Sequence, residues 1–271
     1  METWTIDSPQ TIELDGIRNL RLLAIKGRFD VIAHQDPTET VTRLSIAEVT
    51  GDPLEVVKAD ERLEIRHGKT DAASWLSKDN PLSSQNHLVI TVEVPKNTSV
   101  DAKTVGGEGL LSGLDSLLKI SSVNGSLVCD ATVGELHVNT VSGEAIVQNH
   151  YGTFSSNSVS GEVTASGELQ TIKSTTVTGD LSFDVFGPIS SITTNSVSGN
   201  VLIRLPEKLS TKVKVNSVSG SVNVNDETIK VIGNTSRQFG DASHGIVNIS
   251  VNSVSGSVTV FNRLAQQEVR N

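Results

Sequence analysis

Between residues 105 and 261 the apolar positions of this chain return on a fixed spacing. The triplet Val-X-Gly stands at Val105-Gly106-Gly107, Val123-Asn124-Gly125, Val141-Ser142-Gly143, Val159-Ser160-Gly161 and Val177-Thr178-Gly179, so Gly107, Gly125, Gly143, Gly161 and Gly179 are each 18 residues apart. Val197-Ser198-Gly199, Val218-Ser219-Gly220 and Val254-Ser255-Gly256 follow at intervals of 20, 21 and 36, the last holding two coils or one coil with an inserted loop. Aligned on the glycine, position +2 reads Leu127, Ala145, Val163, Leu181, Val201, Val222 and Val258. Position +4 reads Cys129, Val147, Ala165, Phe183, Ile203, Val224 and Val260, and position −7 reads Leu118, Leu136, Phe154, Ile172, Ile192, Val213 and Ile249. Apolar residues alternate within each period while like side chains recur from one period to the next, which is the pattern of strands stacked coil upon coil. A single coil cannot bury its apolar face. Stacking at about 4.8 Å per coil makes a continuous core. The expected fold is therefore all-β, a single-chain parallel β-helix (a β-solenoid) of about 18 residues per coil.

The polar columns carry expectations of their own. Four residues before the glycine stand Ser121, Asn139, Asn157, Thr175, Asn195, Asn216 and Asn252. Sharing strand parity with a Val at −2 that is expected to face inward, they predict an amide ladder at a corner, bonding to one another and to the turn. The glycine is expected to supply positive φ or a bulge where the chain bends, with Gly134 and Gly152 marking a second bend. Residues 1–104 lack the triplet but keep the alternation, at Leu20–Ile25, Phe29–Ile32, Leu63–Arg66 and Leu88–Val94. Three segments are thus expected: 1–104 as irregular coils and a cap continuous with the solenoid, 105–261 as regular coils, and 262–271 as a frayed tail or short capping helix. Residues 69–86 read as a loop.

Composition narrows the partners. With aromatics at 3% the core must be built from Val, Ile, Leu and Ala. A net charge of −9 without a Lys/Arg run argues against nucleic acid, which requires a basic footprint. Cys129 is the one cysteine, expected as a buried, inert thiol that can form neither an intrachain disulfide nor a multi-cysteine metal site. METWTIDSPQ has no signal-peptide pattern and no apolar run spans a bilayer, so the sequence as written reads as cytoplasmic.

The Asn-Ser-Val-Ser-Gly strings at 195–199, 216–220 and 252–256, with Val94-Pro95-Lys96 and Leu205-Pro206-Glu207, resemble the bacterial β-strand-repeat family of proposed adhesins. More distantly the pattern is similar to the polymer-forming bactofilins. The resemblance covers roughly residues 20–261 and implies a right-handed helix and association with the bacterial envelope. It brings no catalytic residue with it.

One column suggests chemistry. Directly after the glycine stand Glu108, Glu144, Glu162 and Asp180. Stacked outward about 5 Å apart, Glu144, Glu162 and Asp180 would repel, and a divalent cation could relieve them. A straight column gives each gap only two carboxylate neighbours, however, and a solvated acidic stripe is the alternative. No cofactor is expected: the histidines show no zinc spacing, and no nucleophile elbow or phosphate loop occurs. Glu144 with Glu162 could nominally serve a carbohydrate-active enzyme on a β-helix, but sugar clefts need aromatic platforms, and the chain has one Tyr, Tyr151, and two Trp, Trp4 and Trp75, neither Trp within the regular repeat. A short apolar stripe, Leu110, Val128 and Ile146, is expected either under the N-terminal segment or exposed to a partner. The expectation is a non-enzymatic structural or interaction protein contacting another protein or itself, with a glycan lyase or hydrolase and an envelope-stress accessory protein as alternatives.

Overall fold

The computed structural model describes residues 1–68, 85–207, 209–225, 227–240, 243 and 245–263, the side chains of 229–232 excepted. The expected loop at 69–86 and tail at 262–271 therefore lie mostly outside the described residues. The described chain is all β, with no α-helix, and has a β-solenoid-like fold. It forms two compact units, Met1–His150 and Tyr151–Asn271.

The first unit contains β1 (Glu2–Ile6), β2 (Gln10–Leu14), β3 (Asn19–Ala24), β4 (Gly27–Ala33), β5 (Thr42–Thr50), β6 (Leu54–Ala59) and β7 (Arg62–His67). It continues with β8 (His87–Val94), β9 (Ser99–Thr104), β10 (Glu108–Ser112), β11 (Asp115–Ser122), β12 (Leu127–Asp130), β13 (Val133–Thr140) and the start of β14 (Ala145–Ser158). Strands preceding a glycine turn stack in parallel in the order β7, β3, β9, β11, β13. Strands following it stack as β8, β4, β10, β12, β14. From β10 onward the register advances by the spacing seen in the sequence, with Leu111 opposite Cys129 and Cys129 opposite Val147.

The N-terminal strands depart from simple coil order. β3 and β4, first in sequence, lie between the later pair β7–β8 and the pair β9–β10. Outside β7 and β8 the pairing turns antiparallel, through β6 then β1 on one sheet and β5 then β2 on the other. The cap is thus two antiparallel layers. Reversing direction lets short strands close a sheet that would otherwise present a long parallel edge.

The second unit holds β15 (Val163–Thr176), β16 (Leu181–Val185), β17 (Ser191–Ser196), β18 (Val201–Leu205), β19 (Ser210–Val224), β20 (Glu227–Phe239) and β21 (Ile246–Asn262). Here too the last strand is inserted: β21 lies between β17–β18 and β19, parallel to all three. The interval of 36 between Gly220 and Gly256 holds neither two coils nor one coil with a loop. It holds β20, which returns antiparallel along β19 before the chain re-enters the stack as β21.

Columns −7, +2 and +4 are buried throughout, from Leu118 and Leu127 to Ile249, Val258 and Val260. Large and small side chains offset one another between stacked strands. A Cβ on Gly109 would lie 2.4 Å from the Phe29 ring, so the glycine makes room for it. Phe154 and Phe183 meet edge to face at 6.2 Å.

Candidate functional site

The Val-Ser-Gly turn works differently from the parity argument. Val177, Val197, Val254 and Val218 are 42%, 46%, 49% and 70% exposed, and Val141 and Val159 are exposed as well. The Asn residues at −4, namely Asn139, Asn157, Asn195, Asn216 and Asn252, are also exposed. Val105, 6% exposed, is buried as expected and Val123 is half-buried, whereas the expected inward orientation is corrected for these other valines and the amides, which point to solvent. The inward residue is the hydroxyl between them, at −3, in Thr104, Ser122, Thr140, Ser158, Thr176, Ser196 and Ser217. Positions −7, −5 and −3 share one strand face. Val at −2 therefore cannot point the same way as Leu or Ile at −7.

At Thr104, Thr140, Ser158, Thr176 and Ser196 that hydroxyl staples the turn, whereas Ser122 Oγ and Ser217 Oγ make no hydrogen bond among the described residues. Gly143 N–H donates to Thr140 Oγ1 at 3.0 Å, and Thr140 Oγ1 donates to the Gly143 carbonyl at 3.0 Å. Thr176 treats Gly179 alike, at 3.0 and 3.2 Å, as does Ser196 with Gly199, at 2.9 and 3.3 Å. Ser158 donates to Gly161 O at 2.7 Å. The glycine's N–H and carbonyl are thereby bonded within the coil, while the turn's Ser142, Thr178 and Ser198 N–H groups donate to Val123, Val159 and Val177 carbonyls of the neighbouring coil.

The turn glycines owe their place to close stacking. Among Gly107, Gly125, Gly143, Gly179, Gly199, Gly220 and Gly256, only Gly256 has positive φ, at 139°. The expectation of left-handed backbone thus fails for the others. An added Cβ on Gly125, Gly143, Gly179 or Gly199 would lie 2.0 Å from the carbonyl oxygen of the glycine stacked beside it. On Gly107 the same test meets Gly27 O at 2.6 Å. Ile25-Lys26-Gly27 is therefore an earlier instance of the turn, hidden by the long interval to Gly107. Gly134 and Gly152 do take positive φ, at 106° and 137°.

With the hydroxyl inward and the glycines stacked, each turn presents one amide and one isopropyl group to solvent. In the second unit the rungs run Asn195, Asn252, Asn216, because β21 is inserted; Asn252 Nδ2 donates to Asn195 Oδ1 at 2.9 Å. In the first unit Asn139 Nδ2 donates to Ser121 Oγ at 3.3 Å. Val177, Val197, Val254 and Val218 line a shallow groove of about 420 Å³ together with Asn195, Asn252 and Asn216. Among the described residues no charged side chain lines it.

Of the acidic column, Glu162 and Asp180 stand on neighbouring rungs, each directly before one of the register partners Val163 and Leu181. Glu144, Glu162 and Asp180 are exposed, Glu144 in the first unit and the other two in the second. Asp180 Oδ1 accepts from Asn200 N and Nδ2 at 2.8 and 3.3 Å, and Asn200 Oδ1 in turn accepts from Ser257 Oγ at 2.8 Å. Among the described residues no group of three or more His, Cys, Asp or Glu side chains is placed to hold a metal ion. Leu110, Val128 and Ile146 stack in register and are half-buried. Burial pushes the Cys129 thiol up to about 12, so it carries no thiolate near neutral pH. His67 and His150 are buried. His67 Nε2 donates to Asp52 O at 2.9 Å, and His150 Nδ1 lies 2.9 Å from Thr132 Oγ1. Asp184 is held by Arg204 and Arg263, the latter also 4.3 Å from the centre of the Phe186 ring. No helix among the described residues is long and apolar enough to cross a membrane.

Several solved bacterial structures align with the chain. A proposed lipid binding protein from Parabacteroides distasonis ATCC 8503 aligns at 13% identity and TM-score 0.51, over 93% of this chain and 96% of that one. A proposed adhesin from Bacteroides fragilis NCTC 9343 aligns at 13% identity and TM-score 0.47, over 94% and 97%. A proposed cell adhesion protein from Clostridium sporogenes ATCC 15579 aligns at 12% identity and TM-score 0.28, over 94% and 100%. No curated protein matches the chain. The family model of Toastrack DUF4097 matches residues 40–261, and the chain belongs to that family.

Proposed function

We propose that this is a non-enzymatic interaction protein whose working surface is the outward Asn/Val face of the glycine turns. The observation that carries this reading is the uncharged groove in the second unit, lined by Val177, Val197, Val254 and Val218 beside three asparagines. On a chain of net charge −9, an uncharged run of exposed valines is where another protein can be met without desolvating charge. The amides donate and accept, giving direction to a contact that the valines make by area. The frame we propose beneath it is a right-handed parallel β-helix of about 18 residues per coil, supported by the offset from Leu127 to Ala145 and from Leu118 to Leu136. The solvent-exposed acids, the unreactive thiol and the scarcity of aromatics favour contact over chemistry.

The test is comparative capture from the native host with wild-type protein and with Val177→Lys/Val197→Lys. Both substitutions lie on exposed positions and should leave the melting temperature unchanged. Proteins retained by the wild type and lost by the variant support the reading. Identical capture by both, or turnover in a broad glycan depolymerisation screen, overturns it.

A further inference from the structure

Two strand edges of this chain match in length and bend and are opposite in charge. β1 and β2 together span Glu2 to Leu14, thirteen residues with a break at Asp7, Ser8 and Pro9. Among the described residues β1 pairs only with β6, and β2 only with β5, so each keeps one side open. In the second unit β20 is also thirteen residues long and, among the described residues, pairs only with β19. It bends at Gly233, where φ is 84° and the pairing with β19 shifts register. Each open side presents a row of unpaired backbone donors and acceptors, a template for a further strand.

We propose that β20 of one copy pairs antiparallel with β1 and β2 of a second copy, joining copies head to tail. β1 and β2 run in the direction of the coil strands, since each is separated from β7 or β8 by one antiparallel neighbour. β20 runs against the coil strands of the second unit, because it is antiparallel to β19 and β19 is parallel to β21. Setting the second unit's coils of one copy in the same sense as the first unit's coils of another therefore brings the two edges together antiparallel. Setting Glu2 opposite Phe239 and Leu14 opposite Glu227 puts Gly233 opposite Ser8, so bend meets break. Pro9 then falls in the gap between β1 and β2, where it costs no ladder bond.

The charges agree with this register. Residues 1–15 carry Glu2, Asp7, Glu13 and Asp15 and no Lys or Arg. β19 and β20 carry Lys212, Lys214, Lys230 and Arg237 against Glu227 alone. Arg237 comes opposite the half-buried Trp4 and diagonal to Glu2, within reach of a cation–π contact and an ion pair. Lys230 takes the register position diagonal to Glu13. The two contributing surfaces differ, so the contact is heterologous and adds copies rather than closing a symmetric dimer.

Sedimentation velocity on the untagged full chain, from micromolar to near-millimolar concentration, tests this. Mass is expected to grow with concentration. Arg237→Glu and Glu2→Arg should each weaken association about tenfold, by turning attraction into repulsion at a cross-strand pair. Mixing the two variants restores it, because every contact in an alternating chain then pairs opposite charges. A folding defect in either variant would not be repaired by mixing. A monomer across the whole range overturns the proposal, as does association that both variants leave unchanged, or a mixture that does not recover. Association lost in Val177→Lys/Val197→Lys and kept in both charge variants belongs to the Asn/Val face and overturns it too.

Discussion

At the scale of the residue, the turn divides its labour among neighbours: the hydroxyl at −3 staples, the glycine allows close stacking, and Asn and Val face out. The energetic consequences are unequal. Gly199→Ala forces a methyl onto Gly179 O, where 2.0 Å is available, and should cost about 1–3 kcal/mol or more, as overpacking does. Thr140→Val leaves the Gly143 N–H without its side-chain acceptor inside a buried turn, a loss of roughly 1–3 kcal/mol. Val197→Ser removes a half-exposed isopropyl group and should stay within about 0.5 kcal/mol. Urea unfolding of the three variants checks the ranking; a Val197→Ser variant as damaged as Gly199→Ala would mean that the valine is core. The inward columns at −7, +2 and +4 were legible because burial demands apolar side chains at every level of the stack. The role of Val at −2 was not, because a ladder of like side chains is apolar whether it faces a core or solvent. The staple was visible as an unbroken Ser/Thr column from Thr104 to Ser253, yet small hydroxyls read as loop residues until their parity is counted.

At the scale of the element, pairing order departs from chain order in both units, and only long-range register reveals it. Hydrophobic pattern fixes which face of a strand is buried and leaves open which strand lies beside it. The second unit offers a direct check. Val197 and Val254 are neighbouring rungs by register, and so are Val254 and Val218, whereas Val197 and Val218 stand two rungs apart. Adjacent parallel strands lie about 4.8 Å apart, within reach of a disulfide, and two rungs are about 9.6 Å, beyond it. Mild oxidation should therefore crosslink Val197→Cys/Val254→Cys and leave Val197→Cys/Val218→Cys reduced, read by mobility on a non-reducing gel. The opposite result would restore β19 to the place next to β17. Where the expected 18-residue coils met the cap, the alternation in Leu20–Ile25 and Leu63–Arg66 was legible, but its antiparallel layers were not. Strands of either direction share the same period of two.

At the scale of the whole molecule, stability and contact are carried by different surfaces, and each responds to a different variable. His67 is buried where β7 meets the cap; desolvation lowers its pKa, with the Asp52 carbonyl and carboxylate opposing and His87 adding to the shift. A histidine held below its unfolded value near 6.5 takes up a proton more readily in the unfolded chain. Its contribution to stability is therefore full above that value and is lost as pH falls through the lower folded one. Thermal melts should decline from pH 7 toward pH 5, and His67→Gln should flatten the decline; an unchanged slope would remove His67 from the account. Contact, in turn, should follow the uncharged Asn/Val face. The most direct measurement is photo-crosslinking in the native host, with a photoreactive residue placed at Val197 in one strain and at the exposed Gln170 in another. Discrete adducts at Val197 and none at Gln170 are the result predicted here. Adducts at Gln170 alone, or none at either position, would contradict the assignment of that face as the working surface.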